Sequence, residues 1–210
     1  MRTMGRSRRA NRSLIAALLA AVLTLGAVSG AGRPGAAHAD GSWLDDPAAT
    51  WNAAGMAIPG ALERSAEVDP RCARQARPAE SDEDRAVEAA GWMLFSTYTA
   101  GWGIKIVSGL SGYDGMCRPA GFQVFVFVDG ALAGTLSPLP MVSRVDGALS
   151  RTSFFGPESL TATYVRYSDR DPLCCPSALS TATYKIERTP SGPVLTREAT
   201  TTEPNGAARP

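Results

Sequence analysis

One histidine, His38, stands in the whole sequence. It lies in "AHA", 37–39, at the end of a segment that reads as an export signal. Arg2, Arg6, Arg8, Arg9 and Arg12 come first with no acid among them, an apolar run from Leu14 to Val28 follows, and a Gly-rich stretch leads to a small-x-small site. Cleavage after Ala39 removes the histidine and leaves Asp40 as the new N-terminus. A chain without imidazole has no Ser-His-Asp or Cys-His nucleophile and no zinc site built on histidine. Long apolar runs are also lacking. The run at 14–28 is short of the roughly 20 residues that a spanning helix needs, and no second one is long enough. No cysteine lies near the cleavage point, so the mature N-terminus is not lipidated on a thioether. Paired arginines in "SRRANRSL" resemble a twin-arginine signal, but the residues after them match it poorly.

Basic residues are in short supply once the signal leaves. The precursor's 21 Lys and Arg lose six arginines and leave 15 against 20 acids, a net charge of −5. That charge disfavours nucleic acid and anionic membrane surfaces as partners. No GK[ST] ending or GxGxxG spacing accompanies "GLSGYDG", 109–115, so this glycine cluster is read as a turn region and not as a phosphate loop. No Cys-x-x-Cys is present either, which disfavours a redox dithiol of the usual spacing. No metal or other cofactor is expected.

What remains reads as one α+β domain over 81–198, preceded by an irregular arm over 40–80 and followed by a disordered tail over 199–210. The arm holds Pro47, Pro59, Pro70 and Pro78. Its two tryptophans, Trp43 and Trp51, predict docking on the domain, because disordered segments are poor in aromatics. "SDEDRAVEAAGWMLF", 81–95, predicts the single helix: Ser81 caps it, Asp84 fits the capping-box spacing, and Val87, Ala90 and Leu94 share a face. "FQVFVFVDGALAGTL", 122–136, predicts a hairpin turning at Asp129-Gly130. Valines on one face and phenylalanines on the other require cover on both sides. "LTATYVRY" and "STATYKIE" predict neighbouring antiparallel strands, and a last short strand is expected near Val194. The expected fold is a mainly antiparallel sheet of about five to seven strands packed on one helix, with disulfide-tied loops.

Cys72, Cys117, Cys174 and Cys175 predict two disulfides in an oxidising compartment. Three pairings are open. Neighbouring Cα atoms lie about 3.8 Å apart, below the usual disulfide span, which favours bridges from each of Cys174 and Cys175 to Cys72 or Cys117 over a bridge between them. The candidate contact residues are Trp102, Tyr113, Asp114 and Arg118 in the Gly-rich region, and Arg144 with Asp146 after it. Turn formation and packing compete with binding at each of them. Two other chemistries stay open: a carboxylate hydrolase centred on Asp169 and Asp171 or on Asp114, and thiol–disulfide exchange at Cys174/Cys175.

"FVFVDGALAGTLSPLPMVSRVDGALS" and "YVRYSDRDPLCCPS" resemble the LppP/LprE lipoprotein family, as do "WNAAGMAIPGA" and "GWGIKIVSGLSGYDGMCRP". The resemblance implies an exported, envelope-associated bacterial domain and assigns no catalytic or binding residue. The missing cysteine at the cleavage point departs from the lipoprotein pattern, so a secreted, periplasmic or cell-wall location is expected without a lipid anchor. The function expected is non-catalytic binding of an envelope component or a protein partner.

Overall fold

The computed structural model describes residues 41–62, 69–96, 99–172 and 174–206. The expected export segment lies outside them. Trp43–Asp45 forms a 3₁₀ turn, followed by helices α1 (Pro70–Ala73) and α2 (Asp82–Ala89). Ten strands then follow: β1 (Met93–Leu94), β2 (Thr99–Gly101), β3 (Ile104–Tyr113), β4 (Pro119–Val128), β5 (Ala131–Thr135), β6 (Met141–Val142), β7 (Ala148–Phe154), β8 (Ser159–Arg166), β9 (Ala178–Thr189) and β10 (Gly192–Pro204). They form two antiparallel sheets. One runs β1-β3-β4-β5 with β2 on β3 and β6 on β4, and the other runs β10-β9-β8-β7.

The α+β class holds, but the ten strands exceed the expected five to seven and divide into two sheets. The alternation in β4 explains the layering. Val124, Val126 and Val128 face a core shared with Leu160, Ala162, Tyr164, Ala182, Tyr184, Ile186 and Leu195 of the second sheet. Phe125 and Phe127 face the other way, against Val87, Trp92 and Leu94. The strand is therefore central and covered on both faces. The helix covers one face as expected; the second sheet supplies most of the cover on the other.

Ser81 caps α2, its hydroxyl accepting from the Asp84 amide at 3.2 Å. The helix is shorter than the periodicity suggests and stops at Ala89, because Gly91 takes φ 95 and sends Met93 and Leu94 into β1 beside Leu110 and Gly109. A second, one-turn helix, α1, arises at Asp69-Pro70, where the Asp69 side chain accepts from the Arg71 amide.

The glycine-rich stretch is not a loop. Residues 104–113 form one continuous strand, buried over most of its length. Its glycines serve close approach: a Cβ on Gly109 would lie 2.7 Å from Trp92 Cβ. Gly109→Ala is expected to cost about 1–3 kcal/mol by overpacking, read from the urea midpoint.

The paired TATY segments lie side by side about a common centre, with Thr161 opposite Thr183, Ala162 opposite Ala182 and Thr163 opposite Thr181. The last strand is long rather than short. It runs to Pro204 paired with β9, with one register shift between Arg197 and Ala199, so the chain is ordered beyond Ala199, where the polar composition suggests a tail. Neighbouring backbone, which composition does not report, holds it there.

The arm docks as its tryptophans require. Trp43 and Leu44 are buried, and Trp43 meets Trp51 and Tyr164 edge-on at 5.5 and 5.8 Å. Arg197, buried on β10, donates to the Trp43 carbonyl at 2.7 Å and the Asp46 carbonyl at 3.0 Å, with its guanidinium 5.1 Å from the Trp43 ring centroid. Asn52 stitches the arm across the sheets: its amide donates to the carbonyls of Thr135 on β5 and Leu195 on β10, and its oxygen accepts from the Thr135 amide.

The cysteines pair otherwise than geometry alone favours. Cys72 is bonded to Cys117 and Cys174 to Cys175. Cys72 on α1 lies beside the β3–β4 turn, where Gln75 also donates to the Cys117 carbonyl at 3.2 Å. Cys174 and Cys175 instead close a small ring inside their own turn, in which the Cys175 amide donates to the Pro172 carbonyl at 3.1 Å.

Candidate binding surface

The sequence candidates separate onto two ends of the first sheet. Trp102 precedes β3 and Tyr113 ends it, so a strand of ten residues, about 30 Å long, lies between them.

At the far end, polar candidates are consumed by turns. Asp114 Oδ1 accepts from the amides of Met116 and Arg118, both at 2.9 Å, and its Oδ2 accepts from Arg118 Nε. Burial raises the Asp114 pKa, but the Arg118 amide and guanidinium outweigh it and hold the carboxyl below its ordinary value. Asp146 is buried. Its Oδ2 accepts from the Val142 amide at 2.8 Å, which fixes the turn after β6, and its carbonyl accepts from Ser42 Oγ. Arg144 donates to the Asp171 carbonyl at 3.0 Å and lies 4.7 Å from the centroid of the Tyr167 ring. Tyr113 Oη is buried with no hydrogen-bond partner among the described residues, and burial raises its pKa. Ser143 Oγ donates to the Pro119 carbonyl at 2.8 Å, which joins the Tyr113–Arg118 turn to the Arg144–Asp146 turn.

Asp171, nominated with Asp169 and Asp114 for catalysis, is bonded within its own turn. Asp171 Oδ2 accepts from the amides of Ser168 and Ser177 at 2.8 and 2.9 Å, and its Oδ1 accepts from Ser168 Oγ at 2.7 Å. These bonds, the Ser168 amide first, hold its carboxyl well below the usual range. A group so held is a poor general acid near neutral pH. A shallow groove of about 330 Å³ lies elsewhere, lined by Ala76, Arg77, Glu88, Trp92, Met93 and Leu94. Among the described residues no group of three or more His, Cys, Asp or Glu has metal-holding geometry.

The other end has a different character. Trp102-Gly103 forms the β2–β3 turn with φ 56 and 75, and Asp129-Gly130 forms the β4–β5 turn with φ 51 and 83. Both pairs have the positive φ values of the turn that matches hairpin twist. The Asp129 amide donates to the Gly103 carbonyl at 2.8 Å, which locks the two tips together. Gly103 is required there, since a Cβ would lie 2.4 Å from Asp129 Oδ1. Arg188 on β9 reaches both Asp129 Oδ2 at 3.5 Å and the Pro157 carbonyl at 3.0 Å, drawing in the β7–β8 turn. The Phe154 ring packs against Gly101. Three turns thus share one end, which presents Trp102 and Phe155, 65% and 68% exposed. Phe155 is the member that the sequence reading missed. Its position after β7 and directly before Gly156-Pro157 marks a displayed turn residue.

These features define a disulfide-tied, two-sheet antiparallel domain with an aromatic tip. Residues 102–189, from Trp102 to the end of β9, match the family described as LppP/LprE lipoprotein, which bears out the resemblance over that segment. No curated protein and no solved structure matches the chain. An LppP/LprE lipoprotein-family domain is compatible with an envelope-associated protein. Among the described residues no helix is long and apolar enough to cross a membrane.

Proposed function

We propose that the protein is an exported, non-catalytic module of the bacterial cell envelope that binds an envelope component through its aromatic tip. One observation carries this reading. Trp102 is solvent-exposed and sits at φ 56, in the left-handed region that bulky residues avoid. An exposed tryptophan there adds little core burial and costs backbone strain, and strain of this kind clusters at functional positions. The neighbouring Phe155 widens the apolar surface, and Asp129 and Arg188 supply a polar rim. The family match supports the envelope setting. Asp114 and Asp171, two of the carboxylates nominated for catalysis, accept amides of their own turns, which supports a non-catalytic reading.

Trp102→Asn is the informative variant, because asparagine tolerates this backbone region. It is expected to leave the fold as stable as wild type or more stable by about 1 kcal/mol, read by thermal melting. The same variant is expected to lose retention on sedimented cell-wall material and any thermal shift produced by soluble envelope glycans. Equal retention of wild type and variant would sink the tip as the contact surface. Retention by wall-embedded protein alone, after glycan digestion, would identify a protein partner instead.

A further inference from the structure

The two disulfides differ in every respect that governs their use. Cys72–Cys117 spans a sequence separation of 45, and Cys72 is buried. Cys174–Cys175 spans a separation of 1, with a Cα–Cα distance of 3.8 Å, and both residues are exposed. A bridge between neighbours closes almost no chain, so it removes almost no freedom from the unfolded state.

The turn around it is also closed without sulfur. Asp171 gathers the amides of Ser168 and Ser177 from the two sides of the turn. Asn205, just past β10, donates its side-chain amide to the Pro176 carbonyl at 3.0 Å and its backbone amide to the Ser177 carbonyl at 2.8 Å. Arg144 grips the Asp171 carbonyl from the β6–β7 side. The bond is therefore placed in solvent, on a support that does not depend on it.

We propose that Cys174–Cys175 is a thiol–disulfide exchange site whose co-substrate is a dithiol. A thiolate of the dithiol attacks one sulfur of the pair. The Cys174–Cys175 bond breaks, a mixed disulfide forms, and the other cysteine leaves as thiolate and takes up a proton. The second thiol of the co-substrate then attacks its own sulfur in the mixed disulfide and releases the remaining cysteine. The protein gains two electrons and two protons, and the dithiol becomes a cyclic disulfide. The reverse steps restore the bond. Exposure gives the attacking thiolate its access, and the hydrogen-bonded turn keeps the two thiols adjacent for closure.

The experiment uses the intact protein in native buffer with dithiothreitol as the probe. Samples are titrated, quenched with an alkylating reagent and mapped by mass spectrometry. The expected result is alkylated Cys174 and Cys175 with Cys72–Cys117 still bonded, in a protein whose melting temperature is unchanged. Oxidised dithiothreitol should then regenerate the bond, and phenylarsine oxide should add one arsenic per reduced chain by capturing the adjacent thiols. The double variant Cys174→Ser, Cys175→Ser is expected to melt within about 1 °C of wild type, since the ring contributes little loop closure. Reduction of Cys72–Cys117 first, failure to reoxidise, or a clear fall in melting temperature in the double variant would each overturn the proposal and return the pair to a structural role.

Discussion

Asp84→Ala is expected to destabilise the protein by about 3–5 kcal/mol, because removing one partner of a buried ion pair strands the other charge. Asp84 is fully buried at the start of α2, and the Arg77 side chain is 14% exposed. Two guanidinium nitrogens of Arg77 meet the two carboxylate oxygens at 2.7 and 2.6 Å, and the Glu80 amide adds a bond at 3.0 Å. Arg77 also donates to the Ser96 carbonyl at 2.7 Å, so the pair ties the helix start to the chain after β1. Burial raises the Asp84 pKa, but the Arg77 and Glu80 bonds outweigh it and leave the carboxyl below its ordinary 3.8. A depressed folded-state value stabilises the fold above the unfolded value, and that contribution is lost as pH falls through the folded one. Urea melts should therefore show a wide gap between wild type and variant at pH 7. The gap should narrow as the pH drops below 3.8. A gap that does not change with pH would remove the charge from the explanation.

The second large effect is expected from Cys72→Ser combined with Cys117→Ser. A loop of the separation seen here, 45 residues, corresponds to about 4 kcal/mol in the chain-entropy treatment. The bridge fastens α1, a helix of one turn, to the turn between β3 and β4. Loss of the bridge should lower the urea midpoint. It should also speed amide exchange at Cys72, Ala73 and Gln75, whose backbone bonds depend on that helix. Slow exchange there together with an unchanged midpoint would show that packing of Cys72 alone holds α1.

The features legible in the sequence are those with a local cause. The capping residues of α2 are set by Ser81 and Asp84, the Asp129-Gly130 turn by its dipeptide, and the two-faced cover of β4 by alternation. The pairing of the TATY strands follows from their shared wording. The features that escaped depend on distant partners. Gly109 looks like a loop residue until Trp92 is seen above it. The polar residues after Ala199 look like a tail until β9 is placed beside them. The turn amides that Asp114 and Asp146 accept come from residues placed by the folded loops. Trp102 is the contact candidate that keeps its solvent face. The cysteine pairing is not legible from Cα spacing, because the usual disulfide span describes distant partners and the turn at 174–175 accommodates a direct bond between neighbours.

The placement of Asn52 has a consequence for how this molecule avoids its own kind. β5 ends the ladder of one sheet and β10 ends the ladder of the other. Bare strand borders of that sort recruit strands from other molecules. The amide group of Asn52 occupies the carbonyl of Thr135 on one border and that of Leu195 on the other, and Trp51 adds its indole N–H to Thr135. The arm therefore works as a seal between two sticky margins. A chain clipped ahead of Ala53 would lose Trp43 and Leu44 from the core and expose both margins, so self-association is expected to accompany its loss of stability.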